Sequence, residues 1–219
     1  SIARPEILPS ARRVGLYHNR FVNLDQIADN LLDPKLEQLA QTVADESFTL
    51  VRDDKHLFPI SDPANSCLVT LTERSYSTLG EAIATGVKQR APKSRTFAAN
   101  ASTPDAELDA IASDLSQCKQ IYVATYVTVA EYRGSVNLEG GLAGFLTKLS
   151  SGAVPVALIS LGNPYLFRSF PKVSAYAATF STAATSEKAT VRALFSEIHI
   201  TGKLPVSIPR LAKIGDGIQ

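Results

Sequence analysis

The sequence predicts a three-layer α/β/α sandwich with a mostly parallel sheet of about five or six strands, and three observations carry that prediction. Val154–Ser160 (VPVALIS) is a continuous apolar run, too short for a membrane span and typical of a strand buried on both faces. Gly162-Asn163-Pro164 follows it, and these residue types break a strand and set a tight turn. Similar runs recur at Cys67–Leu71 and Ile121–Thr125 with single helical segments between strands, which gives right-handed crossovers and a sheet covered on both sides.

The elements follow in order. Residues 1–34 are irregular: Pro5 and Pro9 interrupt the start, Gly15 closes a helix end at Ala11–Leu16, and Asn23-Leu24-Asp25 can begin a short helix. Asp33-Pro34 then reads as N-cap and first turn of a helix that packs by Leu36, Leu39 and Val43, with Ala40 and Ala44 alongside. Phe48–Arg52 has strand character, and Asp53–His56 is a polar turn before Leu57–Ile60. Cys67–Leu71 is a strand, Ser77–Arg90 a helix stopped by Ala91-Pro92, and Arg95–Ala99 a further strand. Thr103 caps a helix running from Pro104-Asp105 to Leu115, with acidic residues in its first turn. After the Ile121–Thr125 strand and a polar loop, Glu139–Leu149 is a helix leading to Val154. Ser174–Phe180 and Ser186–Glu197 supply one more strand and helix.

Composition narrows the function classes. At 219 residues and 45% hydrophobic, the chain can bury one full core with room for a short appendage. Its 22 basic and 21 acidic residues are spread evenly, so neither nucleic acid nor a membrane surface is an expected partner. No run reaches the ~18 apolar residues of a membrane helix, so the segment is expected to be soluble, with its compartment open. Cys67 and Cys118 lack metal-site spacing and are expected to be buried free thiols, with a disulfide as the alternative. There is no methionine, even at position 1, which implies a processed product or a piece of a longer chain.

Chemistry is sparser. Gly140-Gly141-Leu142-Ala143-Gly144 lacks the order and the strand-to-helix position of a dinucleotide loop and is expected within a helix. His18, His56 and His199 stand apart from other ligand types and read as surface or turn residues. Glu131 and Glu139 bracket the loop Glu131–Leu138 after the carboxyl end of a predicted strand, where this architecture places functional groups.

Four ordered blocks add a resemblance. Phe48–Asp53 (FTLVRD) with Leu57–Ile60 (LFPI), Leu161–Tyr165 (LGNPY), Thr201–Pro209 (TGKLPVSIP) and Gly215-Asp216-Gly217 resemble the C-terminal domain of glycoside hydrolase family 3. The Leu-Gly-Asn-Pro-Tyr block leans toward the β-N-acetylhexosaminidase branch. Residues 1–34 then form a connector resembling the end of the family's catalytic barrel plus linker, and residues 35–219 are the sandwich domain. Lys55-His56-Leu57-Phe58-Pro59 imitates the start of the barrel's Lys-His-Phe-Pro-Gly-His-Gly motif, but an extra leucine interrupts it and Gly-His-Gly does not follow.

The resemblance implies hydrolysis of β-glycosidic bonds, of terminal β-N-acetylhexosaminides above all, by a retaining mechanism. Such a mechanism needs a carboxylate nucleophile and an acid/base about 5–5.5 Å apart. The family's nucleophilic aspartate belongs to an N-terminal barrel that would precede Ser1. That barrel and a carbohydrate are the implied partners, and no cofactor is implied. In the β-glucosidase branch the C-terminal domain lends an acid/base glutamate from a loop after a central strand, which makes Glu131 the catalytic candidate. In the hexosaminidase branch a His/Asp pair of the barrel takes that role. Arg133 and Asn163 are candidates for the edge of the substrate cleft. Two other readings stay open: a free-standing binding module with a flavodoxin-like sheet, and a self-contained hydrolase using Glu131 and Glu139.

Overall fold

The computed structural model describes residues 7–16, 18, 21, 23–24, 34–128 and 137–218. Helices are α1 (Ile7–Arg13), α2 (Pro34–Ser47), α3 (Glu81–Arg90), α4 (Asp105–Leu115), α5 (Leu142–Ser150) and α6 (Ala184–Leu194). Strands are β1 (Thr49–Asp53), β2 (Ser66–Thr72), β3 (Arg95–Asn100), β4 (Gln120–Val127), β5 (Val156–Gly162) and β6 (Ala175–Ala178). The chain divides into two compact units between Leu39 and Ala40. In the first, Gly15 (φ 76°) ends α1 as expected, with the Leu16 amide returning to the Ala11 carbonyl at 2.9 Å.

The second unit is a six-stranded sheet in the order β1-β6-β5-β4-β2-β3, parallel except for β1, which runs antiparallel to β6. The α/β class and the mostly parallel sheet agree with the sequence. One row across the sheet, Val69–Val123–Leu158–Tyr176, belongs to the core under α4 and α5. The adjacent row, Leu68–Tyr122–Ala157–Ala175, belongs to the core under α3 and α6. Side chains alternate between faces along a strand, so strands covered on both sides are buried at every position and mostly apolar. That is why β2, β4 and β5 stand out in the sequence as apolar runs, with Thr70, Thr125 and Ser160 buried among them.

Several boundaries move, each for a local reason. α3 begins at Glu81 rather than Ser77, because Gly80 takes a left-handed φ of 93° against the Thr70 side chain, where a Cβ would sit 2.9 Å away. α5 begins at Leu142 rather than Glu139, and Gly140 (φ 58°) is required outside the helix, since its Cβ would lie 2.4 Å from the Ala101 carbonyl oxygen. Thr103 does not cap α4; its hydroxyl accepts from the Asn100 amide at 2.9 Å instead. Asp25 and Asp33 lie outside the described residues.

Two expectations are overturned. The cysteines are not free: Cys67 and Cys118 form a disulfide between the start of β2 and the turn before β4. Cys67 stands beside Ile121 in the parallel register, three residues beyond Cys118, so strand adjacency brings the sulfurs together. α2 also does not pack by its leucine and valine stripe, as Leu36, Leu39 and Val43 are 56–60% exposed. From Ala40 onward it is held by buried Ala44, by Gln41 donating to the Thr185 carbonyl at 3.1 Å, and by an Asp45–Arg192 ion pair. Among the described residues no helix is long and apolar enough to cross a membrane, and no group of three or more His, Cys, Asp or Glu residues could hold a metal ion.

Candidate functional site

Numbering the parallel strands from β2 gives the order 2-1-3-4-5, a doubly wound arrangement whose ligand sites lie beyond the carboxyl ends of the strands. A cleft of 970 Å³ opens at that edge, over the ends of β4, β5 and β6. Val127 and Thr128 of β4's end form one wall, Gly162–Tyr165 with Arg168 and Ser169 the floor, and Phe180–Thr182 the other wall. Asn137 lines it as well.

The floor is built from Leu161–Pro171, the stretch with the most conspicuous turn signal. Gly162 takes φ 107°, and a Cβ there would stand 2.7 Å from the Val127 carbonyl oxygen, so glycine lets β4 and β5 converge at the cleft. Asn163 then caps a short 3₁₀ turn, Pro164–Arg168, by accepting the Tyr165 amide at 3.0 Å on Oδ1. Ser160 donates its hydroxyl to the Asn163 carbonyl at 2.6 Å. Beneath the turn, Leu166 and Phe167 are buried, Tyr176 donates its hydroxyl to the Pro164 carbonyl at 2.9 Å, and the Phe167 and Tyr176 rings stack at 4.4 Å. Arg52 lies over the other face of Phe167 at 4.6 Å and donates to the Pro171 carbonyl. Burial holds the Tyr176 phenol well above its ordinary 10, so this hydroxyl stays a donor.

The β6 wall carries backbone strain. Phe180 has φ 40°, the Ser181 amide donates to the Thr179 carbonyl two residues back, and the Thr179 hydroxyl donates to the Ser181 carbonyl at 2.9 Å. A bulky residue in that conformation persists only where surrounding packing enforces it, and Phe180 packs on the core under α4 and α5. Ser181 and Thr182 line the opening as a result.

The sequence-derived candidates fare differently. Asn163 is in the cleft, 7% exposed, with Oδ1 committed to the turn. Glu131 and Arg133 lie outside the described residues, although Thr128, just before their loop, lines the cleft. Glu139 is exposed one turn ahead of α5 and is not part of the cleft wall. His18, His56 and His199 are exposed, and none lines it. Sequence reasoning missed Tyr165 and Arg168 as a pair. The signal was their spacing after Asn163-Pro164, since residues three apart in a 3₁₀ turn lie on one face.

No carboxylate lines the cleft among the described residues; it offers hydroxyls, amides, one exposed phenol and one guanidinium. Such a surface can bind and orient a polar ligand but holds no nucleophile or general acid for glycosidic cleavage. A buried carboxylate elsewhere is structural: Glu187 of α6 accepts the Gly80 and Ile83 amides, at 2.9 and 3.2 Å, and so satisfies the N-terminus of α3. The Tyr126 hydroxyl makes no well-formed hydrogen bond there, but burial and the nearby Glu187 charge push its ionisation well above the ordinary 10.

The chain aligns over 92% of its length with a glycoside hydrolase family 3 β-N-acetylglucosaminidase from Paenibacillus sp. str. FPU-7, at TM-score 0.71 and 20% identity. Its fold is that of part of the family 3 glycoside hydrolases. A β-glucosidase from Listeria innocua aligns over 93% of the chain at TM-score 0.72 and 15% identity, and the β-glucoside phosphorylase BglX over 90% at 0.68 and 17%. The chain spans only 38%, 32% and 36% of those three proteins, respectively. No family sequence model and no curated protein matches it. Within the family 3 fold, the four sequence blocks fall on β1 and the turn after it, on the cleft floor, and on the C-terminal segment that bridges back to β1 through Leu50 and Ile218.

Proposed function

We propose that this chain is the C-terminal α/β domain of a family 3 β-glycosidase acting on terminal β-N-acetylhexosaminides by a retaining mechanism. It packs against a catalytic barrel of the same protein and presents its strand-end cleft to the sugar. The observation that carries this is the alignment over nine-tenths of the chain onto a minor part of family 3 enzymes. The described cleft supports the division of labour, because it contributes hydrogen-bonding groups and no carboxylate.

The test is hydrolysis of fluorogenic aryl β-N-acetylglucosaminide and aryl β-glucoside by the purified 219-residue chain and by the whole gene product. The whole product should turn over at least one of them, and the isolated chain neither. Turnover by the isolated chain that disappears in Glu131→Gln would place the catalytic centre within these residues and overturn the assignment. A second function, a free-standing binding module, is favoured by the flavodoxin-like order of the parallel strands. Calorimetry giving no heat with sugars or nucleotides would count against it.

A further inference from the structure

The cleft floor presents a side-chain pair that the proposed function leaves unused. In the Pro164–Arg168 turn, Tyr165 and Arg168 are three residues apart, and 3₁₀ geometry eclipses such residues on one face. Both side chains are exposed, and both line the cleft. The turn itself cannot swing, because Asn163 caps it, Leu166 and Phe167 are buried below it, and Tyr176 holds the Pro164 carbonyl. Tyr165 and Arg168 are therefore mounted on a rigid base, which lowers the entropic cost of using them.

The electrostatics are one-sided. Among the described residues Arg168 is the only charged one lining the cleft, and it forms no ion pair with any of them. Arg90 and Arg192 are engaged, with Glu197 and with Asp45, whereas Arg74 and Arg210, away from the cleft, resemble Arg168 in forming no ion pair with a described residue. A guanidinium presents a planar fork matched to carboxylate, phosphate or sulfate oxygens. Beside it, Tyr165 offers an aromatic face for the apolar side of a pyranose ring, and Ser169, Ser181 and Thr182, residue types able to hydrogen-bond ring hydroxyls, line the same cleft.

We propose that the cleft selects saccharides bearing an anionic substituent, with Arg168 binding the anion and Tyr165 stacking on the sugar ring that carries it. This rests on the assignment of the cleft as a saccharide edge and adds the substrate class: an acidic glycan rather than a neutral one. Arg168 and Tyr165 act here as specificity determinants, outside the bond-breaking chemistry.

The test is titration calorimetry of the 219-residue chain with four probes: chitobiose, chitobiose 6-sulfate, glucuronic acid and inorganic sulfate. At least one acidic saccharide should bind about tenfold or more tightly than chitobiose, and the preference should shrink as salt is raised. Arg168→Gln should abolish the preference for acidic over neutral saccharide, and Tyr165→Ala should weaken every saccharide together. Thermal denaturation checks that both exposed-site variants remain folded. Equal affinity for neutral and acidic saccharides, or a preference untouched by Arg168→Gln, overturns the anion assignment and leaves the saccharide edge standing. Binding of inorganic sulfate with no saccharide binding reduces the site to a bare anion site and overturns the sugar component. Failure of all four probes overturns both.

Discussion

Breaking the Cys67–Cys118 bond should lower stability by an amount the structure lets one calculate. The cross-link joins residues 51 positions apart, enclosing β2, α3, β3 and α4. In the chain-entropy description, closing a loop of that length removes about 14 cal/mol/K from the unfolded ensemble, or about 4 kcal/mol at 25 °C. For a domain of this size each kcal/mol shifts Tm by roughly 2–4 °C, so reduction should lower Tm by roughly 8–16 °C. Calorimetric scans of the oxidised protein, the protein in a phosphine reductant, and the Cys67→Ala/Cys118→Ala variant form the assay. The reduced protein and the variant should fall together, and the variant, which has no cysteine left, should show no response to reductant. The two cysteines are buried, at 2% and 6% exposure, so reduction should require strong reductant or transient opening. A Tm that stays within about 2 °C on full reduction would refute the entropic account, which rests on loop length alone.

Three further outcomes follow from named contacts. Glu187→Ala strips the buried Gly80 and Ile83 amides of their acceptor and should cost about 2 kcal/mol in urea unfolding, with the loss concentrated in hydrogen-exchange protection of α3. Gly162→Ala combines φ 107° with a 2.7 Å approach to the Val127 carbonyl oxygen and should cost about 2 kcal/mol or more, measured by the same unfolding curves. Glu197 is held below its ordinary 4.5 by the Arg90 hydrogen bond, so it releases its proton more readily folded than unfolded. Its stabilisation is therefore present above pH 4.5 and is lost as pH falls through the depressed folded value. Glu197→Gln should lower the neutral plateau of a Tm-versus-pH series slightly and meet the unsubstituted protein at low pH, so that its acid limb is flatter.

The sheet was legible because its signal is local and redundant. Every residue from Ser66 to Thr72 and from Gln120 to Val127 is buried, so composition alone separated these strands from their surroundings. The edge strand β3, only partly buried, gave a weaker pattern, and helix starts were misplaced where a glycine or threonine answered to a neighbour rather than to the helix. The candidate site was half legible. Asn163 and its turn stood out because Gly-Asn-Pro is strong turn chemistry. Arg168 did not, because nothing in the sequence states that residues 164–168 form a 3₁₀ turn with Leu166 and Phe167 below and Tyr165 and Arg168 above.

By itself the sequence determined the alternation of elements, the parallel character of the sheet and the carboxyl-edge turn, since these depend on residue spacing within short windows. The tertiary structure decided the sulfur pairing, the exposed face of α2, the Glu187 cap on α3 and the lining of the cleft. Each of those joins residues far apart along the chain: Cys67 to Cys118, Gln41 to Thr185, Gly80 to Glu187, Val127 to Gly162. Such pairs become neighbours only when β4 is laid between β2 and β5, an arrangement set by collective burial of both sheet faces.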